Sequence, residues 1–388
     1  MKIIRPLAIV DSVLYSSNVP ENEYAAYSAS VVYATGTKVL YISTNTHLVY
    51  ESLTGSSSTV TLTIASPCVI TWTANGLAAG TPISFATTGA LPTGIVAGTV
   101  YYVLAPTANT FNIAATVGGA AINTSGSQSG THTATASANY NIPVTDTTKW
   151  LSNGNDNRWK PFDNSITSQC ANADSIANVF HTTGRVDSVA LLNINAASAT
   201  ITQTDAVDGV VYNKTLNLVA DSGIQEWWSY FFEPIIRVTD SVVTDLLPYA
   251  NSSVSVTLTD TGGTVLCGGM VLGLSKDISY KINNEPAGIT AGAKIGIQDY
   301  SVKQRDTFGN YTVLERAFNK KADFTVYIEN SSVDAVVNLL ASYRATPVVY
   351  LGSSGFGSTI VYGFYKDFSV DIAYPTKSIC TISLEGLT

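Results

Sequence analysis

Apolar and polar residues alternate with a period of two over short runs along most of the chain. TVTLTI at 59–64, VSVT at 254–257 and FTVYI at 324–328 are examples. Successive side chains of a strand point to opposite faces, so this period predicts many short, half-buried strands. Further runs at 188–194, 199–202, 214–219, 235–238 and 254–258 have the spacing of an antiparallel sandwich. One stretch has helical spacing instead. In VDAVVNLLASYR, residues 333–344, the side chains of Val333, Val336, Val337, Leu340 and Tyr343 share a face. Ser331 or Ser332 is placed to cap its start, and Pro347 lies beyond its end. The fold class read from the pattern is mainly β: multidomain β-sandwiches with a small α+β module in the last quarter.

Composition divides the chain further. Hydrophobic residues make up 45% and charged residues 12% of its 388 residues. So uncharged a surface suits faces covered by neighbours in an assembly. Residues 54–138 contain no Asp, Glu, Lys or Arg. Low charge alone reads as disorder. However, apolar anchors such as Val60, Leu62, Trp72, Phe85, Tyr101 and Phe111 recur there between Gly and Pro turns, which predicts a small β domain. The expected organisation is residues 1–53 with 139–154 as a small aromatic module and 54–138 inserted into it. A sandwich at 155–275, a linker at 276–294 and an α+β module at 295–388 follow.

The net charge of −8 and the absence of a Lys/Arg run point away from nucleic acid or an anionic membrane as partner. No window reaches the roughly 18 to 20 apolar residues that span a bilayer, and no signal peptide is expected. Cys68, Cys170, Cys267 and Cys380 form no C-x-x-C pair, so buried free thiols and cytoplasmic synthesis are expected.

Four segments carry resemblances. Tyr27, Tyr33, Gly36, Val39, Tyr41, Tyr50 and Trp150 follow the pattern of small chitin-binding-like modules. The chain departs from that pattern at Tyr27, where Trp is usual, and at Thr37, where Asp is common. In that family exposed rings stack on sugars, which implies Tyr27, Tyr33, Tyr41, Tyr50 and Trp150 as glycan-stacking residues. The other reading of the same rings is the core of a tiny module. The order TGALPTGI, GTVYYV, TANTFNIA between 88 and 114 resembles an insert of bacteriophage tail and fibre proteins. NRWKPFDNSITSQC at 157–170, followed by GRVDSVALLNI at 184–194, resembles the start of a galactose-binding-like sandwich. There Asp163 and Asn164 are either ligand groups or a turn. The last quarter, from IQDYSVKQRDTFGNYTVLERAF to SLEGL, resembles the C-terminal module of phage tail proteins, which implies tail-tube-like modules that assemble as rings. Residues 311–318 are the expected edge strand.

The run EWWSYFFEP, at 226–234, concentrates Trp227, Trp228, Tyr230, Phe231 and Phe232. Read as a strand it sends adjacent rings to opposite faces, so it is either core or a subunit interface.

Catalytic patterns are absent. There is no H-E-x-x-H, G-x-S-x-G or P-loop, and His47, His132 and His181 lie far apart. No metal site or cofactor is expected. Asp205 with Asp208 and Asp240 with Asp245 are the carboxylates to check for sugar cleavage, although their polar surroundings suit solvated turns. The function expected is a non-enzymatic tail component in the virion, at the tip, baseplate or fibre attachment. It would form a homo-oligomeric ring or trimer and dock other phage tail proteins. The alternative is an adhesin for a host surface glycan. No nucleic acid and no membrane insertion are expected.

Overall fold

The computed structural model describes residues 1–28, 31–136, 143–182, 184–219, 226–232, 236–283, 285–305 and 307–388. The side chains of Ser229 and Tyr230 lie outside that description. The protein is mainly β, with helices at Trp227–Phe232 and Val333–Ser342. It divides into two compact units, residues 21–156 and residues 1–20 with 157–388.

In the smaller unit, six strands close into a barrel: Ser56–Leu62, Ile70–Thr71, Pro82–Thr87, Tyr101–Leu104, Thr110–Ala114 and His132–Ala136. Alternation sorts its side chains. Val60, Leu62, Ile83, Phe85, Val103, Phe111 and Ile113 are buried, and the Thr and Ser between them face outward. Closure leaves no free edge, which is how so uncharged a segment avoids sticky strand ends. The same unit has a three-stranded sheet of Lys38–Ser43, Thr46–Ser52 and Trp150–Asn155. Asn45 adopts φ 55° in the tight turn between the first two, a conformation that Asn tolerates better than most side chains. Trp150 pairs with Ser52, so the chain leaves for the barrel and returns at adjacent positions of one ladder. Loop closure grows only slowly more unfavourable with length, which makes such an insertion tolerable.

The larger unit is built on a 13-stranded sheet. Its backbone order is Gly209–Asn217, Ser198–Asp205, Ser253–Asp277, Lys2–Pro6, Val348–Leu351, Ile360–Asp371, Lys377–Gly386, Phe318–Glu329 and Lys294–Asp299. Cys170–His181 and Ser188–Asn195 also pair with the 25-residue strand Ser253–Asp277. One core surrounds Phe180, Ile176, Leu258 and Leu272. A second surrounds Phe324, Tyr350, Leu340 and Ile382.

Three boundaries differ from the sequence reading. Residues 1–20 belong to the larger unit, not to the aromatic module. Ile3 and Ile4 are both fully buried, because Lys2–Pro6 lies between two strands, Ser253–Asp277 and Val348–Leu351. The segment 155–275 is not separated from 295–388, since one continuous sheet runs through both. Residues 276–294 are not a linker: Lys276 and Asp277 end the long strand, and Ile278 is buried beside Phe324 and Ile328. A lone Ile among polar residues has no period to announce its burial. The Val333–Ser342 helix forms, but its N-cap Ser332 makes no side-chain capping bond; a 3-10 turn at Asn330–Ser332 leads into it instead.

Candidate functional site

The hairpin strands of the smaller unit bring together the five rings read as glycan-stacking candidates. Tyr27, Tyr33, Tyr41 and Tyr50 gather with Trp150, with Val39 and Leu48 beside them. Ring centroids lie 5.5 Å apart for Tyr33 and Trp150, 5.9 Å for Tyr27 and Trp150, and 6.3 Å for Tyr41 and Tyr50. The edge-to-face geometry suits ring quadrupoles. Trp150 is only 2% exposed, Tyr33 and Tyr50 are buried, and Tyr27 and Tyr41 are half-buried. Burial raises the Tyr33 and Tyr50 hydroxyls above their ordinary pKa. The Tyr33 hydroxyl is tied to the backbone of Ser28 at both its N–H and its C=O. Trp150, Tyr33 and Tyr50 thus form the core of this small sheet, while Tyr27 and Tyr41 keep part of their surface in solvent.

The candidate carboxylates are each held by local partners. Asp205 closes its own hairpin turn, accepting from the N–H of Val207 and Asp208, and these bonds hold its carboxyl below the usual range. Asp208 accepts from the Tyr249 hydroxyl. Asp240 is buried against Lys320 at 2.8 Å, while Asp245 lies 3.0 Å from Lys214 and accepts from Tyr212. Asp240 and Asp245 thus each have a cation of their own. Asp163 accepts from the Ser165 N–H, and burial pushes its carboxyl above the usual range. Asn164 accepts from the Tyr362 hydroxyl at 3.4 Å. Among the described residues no three His, Cys, Asp or Glu side chains gather where a metal ion could bind. His47 bonds Glu21, His132 bonds Thr87 and His181 stacks on Tyr15, at three separate places. The four cysteines are free and buried, and burial pushes the Cys380 thiol up to about 11. A cavity of about 740 Å³ is walled mainly by small and apolar residues such as Gly288, Ile289, Leu351 and Phe356.

What the larger unit exposes is apolar surface. The 226–234 run is a helix, Trp227–Phe232, rather than a strand; Glu233 and Pro234 lie outside the described residues, as does the Tyr230 side chain. Among the described residues its four described rings join no core cluster: Trp227 is 79% exposed, and Trp228, Phe231 and Phe232 are 66–67% exposed. Helical spacing stacks Trp227 near Phe231 and Trp228 near Phe232.

A second feature escaped the sequence reading, which singled out only residues 311–318. Lys294–Asp299 pairs with Phe318–Glu329, and past Asp299 the two chains stay together. Tyr300 donates to the Ala317 carbonyl, and Val302–Arg305 then pairs with Tyr311–Leu314. The result is an arm of two strands only, reaching about 13 Å beyond the sheet at the usual rise per residue. The pairing puts Val302 and Leu314 on one face, Tyr311 and Val313 on the other. Tyr311, Val313 and Leu314 are exposed, and Phe308 at the tip is 90% exposed. Arg305 covers Tyr311, its guanidinium 4.5 Å from the ring centre. The signal that could have found the arm is the apolar pattern repeating on both sides of the turn around Gly309.

No protein-family model, curated protein or solved structure matches the chain.

Proposed function

We propose that the chain is a structural component of a bacteriophage tail, at the tip, baseplate or fibre attachment, which self-associates and docks other tail proteins. The arm at 302–314 carries this reading. A two-stranded ribbon is at best marginally stable in water, and one with apolar side chains on both faces is less so. A neighbouring chain that extends the sheet and covers those faces would satisfy both its open backbone groups and its side chains. The place in a phage tail rests on the resemblances within residues 88–114 and in the last quarter. The burial of Trp150, Tyr33 and Tyr50 supports a structural role for the aromatic cluster of the smaller unit.

The test is the mass of the purified chain by native mass spectrometry, together with antibody labelling of virions that contain it. The expected result is a multi-copy assembly, label on the tail, and loss of assembly when residues 302–314 are replaced by a short turn. A single-copy species that binds no virion protein and cleaves a polysaccharide would overturn the reading.

A further inference from the structure

Taking the self-association reading as its basis, we infer that the arm of one copy docks on the opposite terminal strand of the same sheet, Gly209–Asn217, in a second copy of this chain. Copies then join head to tail.

Four strands of the sheet have a single partner strand: the short Leu14–Ser17 and Ser241–Val243, on side branches, and the two that end its nine-strand path. Lys294–Asp299 ends it on one side and leads directly into the arm. Gly209–Asn217 ends it on the other: it pairs with Ser198–Asp205, and its outer edge meets no strand among the described residues. Such an edge presents a row of backbone donors and acceptors that an incoming strand can complete. Val207 and Val210 are exposed beside it, and the aromatic helix Trp227–Phe232 follows it in the chain. The exposed arm and the exposed residues Val207 and Val210 therefore lie at the two ends of the nine-strand path.

Charge selects which end meets which. The described residues of 205–236 carry three acidic residues, Asp205, Asp208 and Glu226, and a single lysine, a net charge of −2. The described residues of 294–321 carry six basic and two acidic residues, a net charge of +4, with Lys320 already taken up by Asp240 and Lys303 paired with Asp299 at 2.9 Å. Pairing arm with arm would set Lys303 and Arg305 against copies of themselves, and like charges across a ladder are unfavourable. Pairing the arm with the acidic end opposes unlike charges. A contact of this kind is heterologous. It closes into a ring if the rotation per copy divides a full turn, and otherwise grows as a helix.

Single-cysteine variants test the assignment, because the four native thiols are buried. Val313→Cys chains mixed with Asn213→Cys chains should form mixed disulfide dimers under mild oxidant, about tenfold in excess of either self-dimer. Charge reversal provides a second arm. Lys303→Glu with Arg305→Glu in one chain, and Asp208→Lys with Glu226→Lys in another, should each weaken self-association about tenfold or more. Mixing the two should restore assembly, which chains that merely misfold cannot do. Self-dimers of Val313→Cys in an intact assembly, or no rescue on mixing, overturn this docking while leaving self-association standing. A wild-type chain that stays a single copy overturns the self-association reading itself.

Discussion

Glu385 illustrates how polar side chains act on this protein singly. It sits 3.1 Å from the Lys366 ammonium and accepts a 3.0 Å hydrogen bond from the Asn319 amide. The bond from Lys366 is the strongest of the influences that hold its carboxyl below the ordinary glutamate value of 4.5. A carboxylate with a depressed pKa in the folded state adds stability above its unfolded pKa and loses it as the pH falls through the folded value. Both partners are open to water, so the pair is worth about 1 kcal/mol at most. Glu385→Gln should therefore lower the urea midpoint slightly at pH 7 and leave it unchanged at pH 2. A deficit of the same size at pH 2 would mean that packing rather than charge is lost. Glycine acts singly too: at Gly363 a Cβ would run into the Glu385 carbonyl of the neighbouring strand, so only glycine lets these two strands approach.

Among the elements, the Val333–Ser342 helix separates packing from capping. Leu340 is fully buried among the apolar residues around Phe324 and Tyr350. Leu340→Ala should destabilise the larger unit by about 2–5 kcal/mol through lost contact and the cavity left behind. Ser332 occupies the N-cap but makes no capping bond, so Ser332→Ala should have a far smaller effect than the typical ~1 kcal/mol loss of a cap. Chemical denaturation of the two variants decides between them; a larger loss from Ser332→Ala would place the cap's side chain in a bond that the helix lacks here. The helix was legible in the sequence because its apolar residues keep a period near 3.6 over three turns. Trp227–Phe232 was not. Six residues are too few to express a period, and the strand preference of aromatic residues pointed the other way.

For the whole molecule, the division into two units has a thermodynamic consequence. The aromatic cluster lies entirely in residues 21–156 and the two large sandwich cores entirely in the rest. Trp150→Ala removes the ring at the centre of that cluster and should destabilise the smaller unit by about 3–5 kcal/mol. Calorimetry should show one transition moving and another holding its place; a single transition that shifts as a whole would mean that the units unfold together.

Local order in this chain was written in the sequence, because period and turn chemistry act between residues a few positions apart. The short alternating strands, the Val333–Ser342 helix and the turns of the uncharged segment all follow from such neighbours. Partner choice among strands was not, because it depends on residues hundreds of positions distant. Lys2 lies across from Asp277 and from Leu351, and no periodicity within KIIRP distinguishes that central place from an edge. The same holds for the arm, whose alternation reads like that of any strand. Only the folded sheet, by ending where it does, leaves those side chains in water.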